Sequence, residues 1–339
     1  LTALRKLNLG VNQLTSVPAE IVQLTSLKEL GLDNNKLRSV PAEIGKLTAL
    51  TELSLGCNQL TSLPAEIGQL TALTTLELYE NQLTSLPAEF GLLTSLMRLW
   101  LSNNHQLKGV PAEIWQLTAL AWLHLEDIEL TSVPAEIGQL TSLTELNLDN
   151  NHLTSLPTEI GLLTSMERLY LQDNQLTSLP AEIWRLTALT RLILEGNELT
   201  IVPPEIGQLT SLEELNLEGN ELTSLPAAIR ELIAVGCEVD LDADGPVDDE
   251  GDVGVLRTWR AMCPELQVLW PEAARPEDWE GLTIENGRVV NLELDERGLT
   301  GALPAEIGRL SALRVLSLVN NQLTSVPAEI GQLTALREL

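Results

Sequence analysis

Apolar residues recur along the chain at a 23-residue step. "LTELSLGCNQLTSLPAEIGQLTA" at 50 to 72 is followed by "LTTLELYENQLTSLPAEFGLLTS" at 73 to 95, and both share the frame LxxLxLxxNxLTxLPxEIxxLxx. Ten such turns begin at Leu4, Leu27, Leu50, Leu73, Leu96, Leu120, Leu143, Met166, Leu189 and Leu212. Within each, the LxLxx segment predicts a short strand with alternate leucines pointing inward. The Asn predicts a turn closed by a buried side-chain amide, and LPxEIxxL predicts a short helical or extended return segment. Two neighbouring turns break the frame. "LWLSNNHQLKGV" at 99 to 110 is one residue too long between Asn104 and Leu107, and in the following turn Ile128 stands where the ladder Asn belongs.

These repeats resemble the leucine-rich repeat family, in particular the 23-residue class with LPxEI in its convex half, as in plant intracellular Ras-group proteins and Scribble-like scaffolds. The resemblance implies an α/β solenoid, a horseshoe with a parallel concave sheet, and a non-enzymatic role in protein binding. After Leu225 the frame decays into "PAAIRELIAVGCEVDLDADG", read as an amphipathic helix and an edge strand that cap the last turn. An acidic linker, "PVDDEGDVG", follows, and then "VLRTWRAMCPELQVLW" with helical apolar spacing. The segment from 279 to 308 resembles the amino-terminal cap and first turn of plant-type repeats, so a second solenoid is expected. The predicted organisation is a ten-turn solenoid over 1–235, a cap strand and linker over 236–254, and a second, truncated repeat unit over 255–339.

Composition narrows the partners. A single hydrophobic core rarely serves more than about 250 to 300 residues, and at 339 residues an elongated or divided chain is the expectation. The net charge of -28 sets the surface against phosphate backbones and anionic lipid heads, so neither nucleic acid nor a membrane is expected as a partner. Apolar runs are too short for membrane insertion. Three unclustered cysteines, Cys57, Cys237 and Cys263, and the lack of any N-x-Ser/Thr acceptor point to a reducing, cytoplasmic compartment.

No constellation for catalysis emerges and no cofactor is implied. Cys57 and His124 lie three turns apart, about 14 Å along a solenoid, too far for a dyad. The once-per-turn acids, Glu20, Glu43, Glu66 and their successors, read as a solvated face. Asp240, Asp242, Asp244 and Asp248 have the spacing of calcium-loop ligands, but Gly251 occupies the place of the bidentate Glu, so the stretch reads as a linker and only as a weak calcium candidate.

The residues between the inward leucines should face solvent on the concave sheet. From the fifth turn onward they become large: Arg98, Trp100, Trp122, His124, Arg168, Tyr170 and Arg191, with Tyr79 one turn earlier. In a chain only 3% aromatic, this concentration marks a ligand-binding face for a protein or peptide, since aromatic and Arg side chains dominate binding hot spots. The odd turn at 96 to 119 falls in the same segment and reads as specialised, not damaged. Trp115 and Trp184, on the opposite face, read as packing residues. The alternative is a structural, self-assembling repeat protein, because both chain ends, "LTALRKLNLG" and "GQLTALREL", are matching points of one repeat and could associate head to tail.

Overall fold

The computed structural model describes residues 3–107, 109–223, 225–242, 252–271, 274–285 and 287–337. It divides into two compact units. The first holds Leu1–Thr200, Glu205–Glu221 and Glu231–Ala243, and the second Ile201–Pro204, Leu222–Arg230 and Asp244–Leu339.

In the first unit each turn contributes one three-residue strand: β1 Lys6–Asn8, β2 Glu29–Gly31, β3 Glu52–Ser54, β4 Thr75–Glu77, β5 Arg98–Trp100, β6 Trp122–His124, β7 Glu145–Asn147, β8 Arg168–Tyr170, β9 Arg191–Ile193 and β10 Glu214–Asn216. They pair in parallel in chain order, with the central leucines opposite one another, as in Leu53 against Leu76 and Leu76 against Leu99. Helix α1 spans Ala227–Ala234, and β11, Glu238–Asp240, adds to the edge beside β10 with Val239 opposite Leu215. The frame leucines form the core; Leu50, Leu73, Leu96, Leu120 and Leu143 are all fully buried.

The LPxEI segments fold as 3₁₀ turns, for example Ala65–Gln69. Pro64, at φ −69° and ψ 147°, sets the entry, its carbonyl accepts the Ile67 N–H at 3.0 Å, and Ile67 points into the core. Stacking here is tight: a Cβ on Gly68 would lie 2.3 Å from the carbonyl oxygen of Glu89 in the next turn. Trp115 and Trp184, at the same place in their own turns, are each only 3% exposed.

The ladder asparagines join turn to turn. Asn58 Nδ2 donates to the carbonyls of Leu32, Leu55 and Gly56 at 3.0 to 3.1 Å, while its Oδ1 accepts the Leu37 N–H of the preceding turn at 3.0 Å. One side chain thus satisfies backbone groups that the curvature of the chain would otherwise bury unpaired. The residue before each ladder position is left-handed: φ is 53° at Asn34, 56° at Asn103, 53° at Asn150 and 50° at Asp173. Asn, Asp and Gly recur there because they tolerate that region best.

The two departures from the frame compensate each other. From Leu14 to Leu199 the leucine two residues after each other ladder position gives its N–H to the Asn of the next turn, as Leu83 does to Asn104 and as Leu130, two residues after Ile128, does to Asn151. Leu107 would need an Asn at 128 and meets Ile128, fully buried. The extra residue lets the chain fold back, so that the Leu107 N–H is donated to the carbonyl of Asn104 at 2.8 Å. The insertion supplies from its own turn the acceptor that the next turn lacks.

The second unit has a different beginning and then the same grammar. Helices α2, Asp252–Met262, and α3, Pro264–Leu269, contribute to a core where Trp270 stacks on Trp279 at 4.9 Å and meets Trp259 edge-on at 6.4 Å. β12, Leu282–Glu285, pairs antiparallel with β13, Arg288–Glu293, which pairs in parallel with β15, Val315–Ser317; β14, Thr300–Ala302, pairs with β16, Gln322–Ser325. The Asp252 carboxylate, 2% exposed, accepts from the Val289 N–H and Arg288 Nε. Asn321 repeats the ladder, donating to Leu294 and Leu318 and accepting from Leu299. Among the described residues no helix is long and apolar enough to cross a membrane.

Candidate functional site

Because the strands are parallel and in register, residues one repeat apart stand side by side on the sheet face turned away from the leucines. Arg98 is the lateral neighbour of Trp122, and Trp100 that of His124. The Trp100 and Trp122 rings meet edge to face at 6.1 Å and 84°. His124 lies 5.7 Å from Trp100, and the Arg98 guanidinium sits 5.5 Å from the Trp122 ring centre while its Nε donates to Thr75 Oγ1 at 3.1 Å. The four side chains form one pre-packed cluster.

A polar network continues from it. His124 Nε2 lies 2.9 Å from Glu145 Oε1, whose Oε2 accepts from Arg168 Nη1 at 2.7 Å. Arg191 Nη1 donates to the Tyr170 hydroxyl at 3.4 Å, and its Nε pairs with Glu214 at 2.5 Å. The side chains of Glu145, Arg168, Tyr170, Arg191, Glu214 and Glu238 help to line a shallow depression of about 530 Å³. Seven of the eight predicted site residues are therefore neighbours on one face. Tyr79 is separate: its ring lies over Gly56, where a Cβ would come within 2.5 Å of it.

These side chains are less exposed than the alternation suggests. Trp100, Trp122, His124, Arg168 and Tyr170 are half-buried, and Ile193, in the same column, is only 7% exposed. Parallel strands hold side chains of adjacent turns about 5 Å apart, so large ones cover each other. The acids that partner the arginines, Glu145 and Glu214, are not among the expected large residues; their signal in the sequence is an acid beside Arg in the same column, one repeat away.

A third column, just beyond the strands, concentrates carboxylates. Asp149 Oδ1 accepts the Gln172 N–H at 2.7 Å. Burial drives its pKa up to about 7 against that hydrogen bond, and the negative charges of Glu126, Asp173 and Glu195 add to the rise. The cysteines are held above the ordinary thiol range. Burial, then Glu80, pushes Cys57 up to about 11, and burial also raises Cys237 and Cys263. Of the calcium-loop spacing, Asp240 lies in β11, and Asp242 Oδ1 accepts the Gly219 N–H at 2.9 Å; Asp244 and Asp248 lie outside the described residues.

A one-strand-per-turn parallel sheet, an asparagine ladder and a side-chain-rich outer face define a class, the repeat solenoids. The leucine-rich repeat region model matches residues 53–149 and 134–235, and the model for two copies of the leucine-rich repeat matches 2–43 and 25–67. The chain belongs to the leucine-rich repeat family. A leucine-rich repeat protein of Leptospira interrogans is 36% identical, with TM-score 0.60 over 99% of this chain and 77% of its own. The ectodomain of the Arabidopsis thaliana receptor kinase GASSHO1/SCHENGEN3, solved in complex with CASPARIAN STRIP INTEGRITY FACTOR 2, is 26% identical, with TM-score 0.64 over 99% of this chain and 38% of its own. Phytosulfokine receptor 2 of A. thaliana is 35% identical over 77 residues, 21% of this chain; the match spans 7% of that receptor's length.

Proposed function

We propose that this chain is a non-enzymatic protein-interaction scaffold that binds a peptide or an extended protein segment on the concave face, across β5 to β9. The observation that carries this reading is the Arg98, Trp100, Trp122 and His124 cluster: large side chains already packed against each other, half-open to solvent, on a rigid sheet. Fixing them on binding costs little side-chain entropy, and each still presents a wide apolar or hydrogen-bonding surface. The neighbouring depression, with guanidinium and carboxylate groups side by side, would orient a polar segment of the same ligand. The GASSHO1/SCHENGEN3 ectodomain, a structural relative that covers this chain, was solved with a bound factor.

The test is selection of binding peptides from a displayed library on the full chain, repeated with Trp100→Ala/Trp122→Ala. Hot-spot side chains contribute about 2 kcal/mol or more each, so the double variant should lose about a thousandfold in affinity. Its unfolding free energy should fall by the edge-to-face pair, about 0.5 to 1.5 kcal/mol, plus the contribution of the half-buried ring area, and circular dichroism checks that the variant stays folded. Selected peptides that bind both proteins equally would overturn this assignment.

A further inference from the structure

We propose that the lengthened turn and its neighbour form a divalent transition-metal site, with His105, Asp127 and Glu129 as ligands. One donor atom from each of the three lies within 4.8 Å of the others. His105 Nδ1 and Asp127 Oδ1 are 3.2 Å apart. Two ligands held at about 2.1 Å on one tetrahedral zinc ion stand about 3.4 Å apart, so that pair already has the required spacing. One imidazole with two carboxylates is a donor set that suits zinc and its neighbours better than calcium or magnesium, which favour oxygen alone.

Replacing the missing ladder contact demands one extra residue at 105 or 106 and nothing more; it does not demand a histidine, nor acids on both sides of Ile128. Yet the insertion brings His105 to the surface beside both. Asp127, at φ 56°, occupies the left-handed position that every turn has, but Glu129, at φ 61°, is a second left-handed residue in the same turn, which no other turn has among the described non-glycine residues of the first unit. The ladder holds both backbones: Asn103 N–H bonds to Glu126 O at 2.9 Å and Asp127 N–H to Asp149 O at 3.1 Å. Closing the donors on an ion means bringing separations of at most 4.8 Å to about 3.4 Å. A second histidine, His152, lies with Nε2 at 2.9 Å from Glu129 Oε2. His152 is a positioning residue, of the kind that orients metal-binding carboxylates. The fourth position would be open to water or to a donor from a bound partner. The net charge of -28 favours any cation at this surface, so selectivity has to be tested against the acids elsewhere.

The experiment uses the full chain, stripped with chelator, then titrated with Zn²⁺ by calorimetry and with Co²⁺ by visible absorption. The expected result is one Zn²⁺ per chain and the intense Co²⁺ bands of low-coordinate N/O ligation. Both should vanish in His105→Ala and in Asp127→Asn, the latter keeping a residue that tolerates the left-handed backbone. His152→Ala should weaken binding by about tenfold or more, and Glu159→Gln, on the acidic face, should leave it unchanged. Circular dichroism checks that each variant is folded. Equal Zn²⁺ binding by wild type and His105→Ala, or only weak octahedral Co²⁺ absorption, would overturn the site.

Discussion

Deleting Gln106 and replacing Ile128 by Asn, singly and together, tests whether the insertion and the missing asparagine compensate each other. In the single deletion the Leu107 N–H, fully buried, loses the Asn104 carbonyl and faces Ile128. An unsatisfied buried N–H costs about 1 to 3 kcal/mol. In Ile128→Asn alone, the buried isoleucine's packing is lost, about 3 kcal/mol. The new Oδ1 also meets an N–H already engaged, at about 1 to 2 kcal/mol more, while the new amide donor recovers part of that from backbone carbonyls, so about 3 kcal/mol net is expected. Together, the two unsatisfied groups become each other's partner, as Leu83 and Asn104 already are. The double variant should therefore be more stable than the sum of the singles by about 2 to 3 kcal/mol, the size usual for residues sharing one network. Urea unfolding of the four proteins, read on the first unit's transition, gives the coupling. Hydrogen exchange at the Leu107 amide gives the mechanism: protected in wild type and in the double variant, fast in the deletion. A coupling within about 0.5 kcal/mol of zero, or a protected Leu107 in the deletion alone, would refute the compensation.

Asp149 should make the fold lose stability as pH rises. Its folded pKa of about 7 lies above the ordinary 3.8, so its contribution is complete below about pH 4 and is lost as pH climbs through 7. Asp149→Asn should flatten that slope and stabilise the protein at pH 8 by about 1 to 2 kcal/mol after allowance for solvent screening; an unchanged pH profile of the unfolding midpoint would contradict it. Val11 is β-branched, 78% exposed and left-handed at φ 54°, where later turns carry Asn34 and Asn103. Val11→Asn should raise stability by about 1 kcal/mol, and a fall in melting temperature would count against strain there. Gly68→Ala should cost about 2 to 3 kcal/mol, because the methyl would meet the Glu89 carbonyl at 2.3 Å and the next turn must shift to admit it; a neutral change in denaturant midpoint would show that this turn opens as readily as those carrying Trp115 and Trp184.

The repeat frame determined the solenoid because every apolar position has the same job in every turn: Leu53, Leu76 and Leu99 are stacked copies of one contact, and period alone decides which face they take. The ladder asparagines, the proline-led returns and the seven large residues of the sheet face from Arg98 to Arg191 follow from counting repeats, and the helix and edge strand after Leu225 from the apolar spacing where the frame decays. Counting works where structure depends on spacing along the chain. What it could not supply were relations across turns. That Ile128 and the insertion before Leu107 compensate each other depends on which N–H meets which oxygen one turn away. The half-burial of Trp100 and Trp122 arises from neighbouring strands packing about 5 Å apart, and alternation within one strand is blind to it. His105, Asp127, Glu129 and His152 come from three successive turns, and their gathering at one point was decided by the parallel stacking of those turns and by left-handed backbone at Asp127 and Glu129, neither of which is written in the identity of any single residue.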